Sequence, residues 1–139
     1  MSTTRRRLAL WARVALPVYL VALGCVVFSP SDEATEVEGL VSWVFDRVDE
    51  LRAGFEPAYV VLEFVANIAL FVPFGVLVRV AFARPAWWVV LLLGFATTVT
   101  IELVQSTLPT RFSTVSDVVA NTLGTAAGLL LVRAISRRR

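Results

Sequence analysis

Apolar residues occupy this chain in four blocks, each long enough to cross a bilayer as a helix, which takes roughly 20 residues. They cover about residues 8–28, 58–80, 86–108 and 112–132. Short polar breaks separate the last three. This pattern predicts an all-α integral membrane protein: a four-transmembrane-helix bundle forming a single domain over residues 1–139. Loops this short leave no room for a separate catalytic domain.

The one long connection, between the first two blocks, follows a different rule. Val37, Leu40, Val41, Val44, Phe45, Val48 and Leu51 recur at three-and-four spacing, with acids and arginines filling the other face. That periodicity predicts an extracytoplasmic amphipathic helix over about residues 36–52. Thr35 followed by Glu38 makes a capping-box start, and Gly54 is a stop. Such a helix lies on the interface or roofs the bundle, either as a packed loop helix or as a lid over an outward-facing site.

Charge orients the bundle. All thirteen basic residues are arginine, and ten of them flank the spans in three groups: Arg5, Arg6, Arg7 and Arg13; Arg79 and Arg84; Arg133, Arg137, Arg138 and Arg139. The first loop carries eight acids against Arg47 and Arg52. Basic flanks stay cytoplasmic, so both termini are expected inside, with the acidic loop and residues 109–114 outside. The basic tails then answer to topology and anionic lipid, and no nucleic-acid partner is expected. Cys25 is the single cysteine, which excludes an intramolecular disulfide, and the chain has no histidine. It therefore lacks the usual general base and the commonest metal ligand, and nothing calls for a cofactor. Ala22-Leu23-Gly24-Cys25 loosely resembles a lipoprotein cleavage site. The order of residues fits poorly and the apolar run continues past it, so an uncleaved first helix is expected.

Polar residues inside the spans fall into stripes. Span two carries Glu63 and Asn67 one turn apart, then Pro73, which removes a backbone donor from the Ala69 carbonyl, and Gly75. These last two are expected to be structural. Span three carries Gly94, Thr98, Glu102 and Gln105; span four carries Asp117, Asn121, Gly124 and Gly128. Gly124-x-x-x-Gly128 permits close helix contact. Although the chain crosses in alternating directions, all three intramembrane acids lie in the outer half of their spans. Arg111 lies in the loop directly above Glu102 and Asp117. Unpaired charge in hydrocarbon is expensive, so these groups should face one another. They form either a structural clasp bridged by Arg111 or a ligand-facing polar pocket. Three acids facing one arginine imply a protonated carboxylate or a bound cation. Oxygen ligands from Glu102, Asp117 and Asn121 would suit a hard cation, but no spacing motif demands a metal.

These residues also carry a resemblance. Glu63-Phe-Val-Ala-Asn67-Ile-Ala-Leu70-Phe71-Val-Pro73-Phe-Gly75 resembles the N-x-x-L-F-x-P-x-G signature of the VanZ-like family of membrane proteins. Glu102-x-x-Gln105 is similar to its second signature. Arg111, Asp117, Asn121, Thr122, Leu123 and Gly124 are similar to its R…D…NTLG signature, with matching gaps. One position departs: many relatives have Asp three residues after the arginine, where this chain has Thr114, which is expected to cap span four. The resemblance implies a multi-pass protein of the bacterial plasma membrane and cell envelope. Its namesake is associated with resistance to glycopeptide antibiotics, teicoplanin in particular, whereas most relatives lie outside resistance clusters.

The functional expectation is recognition of an envelope lipid, a glycan or cell-wall precursor, or a glycopeptide-type antibiotic at the outer leaflet. Glu102, Asp117 and Arg111 would supply charged contacts, supported by Gln105, Asn121, Glu63 and Asn67. One alternative is a membrane enzyme using paired carboxylates on a lipid-linked substrate, though the usual nucleophile motifs are missing. The other is a non-catalytic assembly partner in an envelope complex, with the Gly128 face or the loop helix as the contact surface. A homo-oligomer stays open.

Overall fold

The computed structural model describes residues 3–28, 56–82, 85–107 and 114–137. They form four helices: α1 (Thr3–Phe28), α2 (Glu56–Ala81), α3 (Trp87–Gln105) and α4 (Val115–Arg137). Each contains a stretch long and apolar enough to cross a membrane. The amphipathic helix expected over about 36–52, and Arg111, lie outside the described residues.

Helix ends depart from the apolar runs in an instructive way. α1 begins at Thr3 and takes in Arg5, Arg6 and Arg7, and α4 continues to Arg137. Backbone hydrogen bonding does not stop where side chains turn polar, so hydropathy marks the extent of the apolar layer and not of the helix. α3 ends earlier than its apolar run, at Gln105. There the Ser106 amide donates to the Glu102 carbonyl at 2.9 Å and the Thr107 amide to the Val104 carbonyl at 3.0 Å. The two hydroxyls donate to Leu103 and Val104 carbonyls at 2.8 and 2.7 Å, tying off the last turn.

The helices alternate in direction. At one end, called here the termini end, the Arg13 guanidinium of α1 donates to the Ala81 carbonyl closing α2 at 2.9 Å. At the opposite end, the Gln105 amide of α3 donates to the Val27 carbonyl of α1 at 2.7 Å. α2 and α4 form the most extensive pairing; α1 packs on α2, α3 on α4, and α2 and α3 touch little.

Glycine sets the α2–α4 distance. A Cβ at Gly124 would run into the Ile68 carbonyl, one at Gly128 into the Val72 carbonyl, and one at Gly75 into the Thr125 carbonyl. Each obstacle is backbone, so larger residues cannot be accommodated by a rotamer change. Thr125 is fully buried at the crossing of three helices, since its side chain also fills the space that a Cβ at Gly94 would need. Beside this seam pack Phe71, Phe74, Val78, Val90 and Ile101, with Leu23 from α1. Pro73 does not end α2. Next to the Ala69 carbonyl that Pro73 leaves without its amide, the Leu70 carbonyl accepts from the Tyr19 hydroxyl at 2.7 Å. Outward faces are apolar, with Trp11, Val18, Val61, Leu92, Leu103 and Leu130 exposed, as suits contact with hydrocarbon.

Candidate functional site

Away from the termini end, the start of α4 meets the last turns of α3 and the upper half of α2. Thr114 is the N-cap of α4. Its hydroxyl accepts from the Asp117 amide at 3.2 Å and donates to Asp117 Oδ2 at 2.8 Å. In a capping box, the residue at the third helical position would accept the cap's own amide. Here that amide donates instead to Glu102 Oε2, at 3.1 Å, so α3 completes the cap of α4. Asp117 Oδ1, left over, accepts from Asn67 Nδ2 at 2.7 Å. One continuous chain, Glu102–Thr114–Asp117–Asn67, thus fastens three helices. Asp117 sits in the first turn of α4, where the helix dipole favours a carboxylate.

One turn deeper on α3, Thr98 is fully buried and accepts from Asn121 Nδ2 at 2.8 Å. The Asn121 carbonyl accepts from the Thr125 hydroxyl at 3.1 Å, closing the polar layer onto the glycine seam. The Oδ1 atom of Asn121 is buried and has no donor. Glu102 itself is 7% exposed, an unusual position for a carboxyl group inside a span.

The expected site residues therefore separate. Glu102, Asp117 and Asn67 come together through Thr114, and Asn121 lies beneath them on Thr98. Gln105 turns away, to α1 and the Val27 carbonyl. Glu63 has an exposed side chain on α2. Gly75, Gly124 and Gly128 line the α2–α4 seam, and Pro73 is exposed on α2. Among the described residues, no three His, Cys, Asp or Glu side chains group as a metal site. Thr125 and Tyr19 did not stand out in the sequence. Thr125 could have been found as the residue four beyond Asn121, on the same stripe; Tyr19 carries no such signal.

The family model described as VanZ/LLP1 matches residues 16–136, nearly the whole bundle. The chain belongs to the VanZ/LLP1 family. No curated protein and no solved structure matches it. The VanZ/LLP1 match runs from the middle of α1 to the last turn of α4 and takes in both the polar chain and the glycine seam. In this VanZ/LLP1 protein the signature-like residues on α2 and α4 serve two purposes. Gly75 and Gly124 bring the two backbones together, and Asn67 and Asp117 then reach each other across the narrow gap. Thr114 keeps the capping oxygen at the position of the departure.

Proposed function

We propose that this VanZ/LLP1 membrane protein recognises an amphiphilic envelope compound at the outer leaflet through the Glu102–Asp117–Asn121 layer. The compound is an envelope lipid, a lipid-linked glycan precursor or a glycopeptide such as teicoplanin. The arginine distribution, with both termini cytoplasmic, turns this layer outward. The observation that carries the reading is Asn121 Oδ1, buried within a span without a donor. A purely structural clasp gains nothing from an orphaned acceptor, which is unfavourable by about 1–3 kcal/mol. A ligand bringing a hydroxyl or ammonium group satisfies it. Glu102, one turn along the same face of α3, sets a buried carboxyl group beside such a donor.

The test is a deletion strain scored against envelope-active compounds, glycopeptides included, and complemented with variants. Glu102→Gln, which keeps an oxygen for the Thr114 amide, should remove complementation while the protein still reaches the membrane at its normal level and keeps its detergent stability. Asn121→Leu, which also breaks the bond to Thr98, should remove it at a cost of about 1 kcal/mol in that stability. Full complementation by both variants would show the layer to be structural and end the proposal.

A further inference from the structure

A second polar region lies at the termini end, remote from the Glu102 layer and independent of the reading given to it. α2, α3 and α4 there enclose a groove of about 510 Å³, within the range of roughly 300–1,000 Å³ typical of small-molecule sites. Its chemistry is graded along the helices. Arg133 and Arg137 of α4 and Arg79 of α2 line it toward the helix ends. Ala126, Leu129 and Leu130 continue the wall into the span, and on α3 Leu91 lies one turn deeper than Trp87. One end is therefore cationic and the other apolar, the polarity of an anionic amphiphile.

Among the described residues, three guanidinium groups and no carboxylate line the groove. Arg133 and Arg137 are exposed, and flank charge accounts for both, with the helix C-terminal dipole acting as well at Arg137. Arg79 is different: its Nη1 nitrogen is buried and has no acceptor. Neither topology nor a helix dipole calls for a guanidinium nitrogen turned into protein without a partner. A phosphate oxygen supplies that acceptor and also relieves the repulsion among the three cations, and the planar guanidinium fork suits it. A soluble phosphate compound would leave the leucine wall uncovered, whereas a lipid covers both halves.

We infer that this groove binds one anionic phospholipid, with its phosphate on Arg79, Arg133 and Arg137 and an acyl chain along Leu91, Leu129 and Leu130. The site is specific and concave, distinct from the diffuse attraction of basic tails to a charged surface.

Full-length protein in neutral detergent, titrated with phosphatidylglycerol or phosphatidylcholine and examined by native mass spectrometry, tests this. One phosphatidylglycerol should be retained about tenfold more tightly than phosphatidylcholine, and Arg79→Gln should reduce that preference about fivefold. Arg133→Gln, an exposed position that leaves folding untouched, should act in the same direction. The triple variant Arg5→Gln, Arg6→Gln, Arg7→Gln removes more charge from the same end of the bundle but none from the groove, and should leave the preference unchanged. Equal retention of the two lipids overturns the assignment, as does a triple variant as damaging as Arg79→Gln. Displacement of the lipid by millimolar inorganic phosphate would mark a soluble phosphate compound as the ligand and also overturn it.

Discussion

The two polar ends of the bundle manage buried polar groups in opposite ways. In the Glu102 layer, acceptors and donors interlock: both Asp117 oxygens are taken, Glu102 accepts the cap amide of α4, and Asn67 and Thr114 donate across helices. At the termini end, three arginines share a groove with no carboxylate among its described lining residues, and one guanidinium nitrogen is orphaned. Between them lies Thr125, with glycines of α2 and α3 pressed against it. Polar side chains inside a bundle can thus act as internal fasteners or as groups awaiting a partner, and hydrogen-bond satisfaction distinguishes the two. By this criterion the Glu102 layer is mostly fastener with one open acceptor, and the arginine groove is mostly open.

The sharpest way to break the comparison is to remove what holds both ends in place. Gly124→Val drives a side chain into the Ile68 carbonyl and the Phe71 side chain. It should lower stability by ~3 kcal/mol or prevent accumulation of folded protein, abolishing both regions together. Thermal unfolding of purified protein in detergent reads this. Survival of either region alone would show that the ends are built independently.

Asp117→Ala removes the acceptor for Asn67 and Thr114 and should destabilise by about 2 kcal/mol in the same assay. Thr114→Ala deletes the N-cap and should cost about 1 kcal/mol, with Thr114→Ser staying close to the parent. The arginine end should respond with the opposite sign. Arg79→Leu in neutral, lipid-free detergent removes an orphaned donor, so stability should rise by up to ~1 kcal/mol. A loss of stability there equal to that of Asp117→Ala would mean that Arg79 is a fastener after all, and would erase the contrast between the two ends.

Features confined to one helix could be read from the sequence. The Gly94–Thr98–Glu102 stripe of α3 and the Asn121–Gly124–Gly128 stripe of α4 are buried as their spacing requires. Gln105 extended the α3 stripe by a step of three, which rotates it toward one flank, and α1 is the neighbour it meets there. Glu63 and Asn67 share a nominal face, yet Asn67 reaches Asp117 while Glu63 is exposed. Arg79 read as a topological marker like its neighbours, because nothing in a linear pattern distinguishes an arginine at a helix end from one lining a groove.

From the sequence alone came four spans, their small-residue and polar faces, the arginine asymmetry and the VanZ-like signatures. All of these follow from local rules, the length of a span and the roughly 100° turn per residue of a helix. Only the tertiary structure decided that α4 is capped by Glu102 of α3, that Gly75 and Gly124 let Asn67 reach Asp117, and that α2, α3 and α4 enclose an arginine-lined groove. Those outcomes depend on how deeply two helix surfaces nest and how each helix is rotated about its axis. Contacts among residues distant along the chain set both quantities, and helical periodicity carries no information about them.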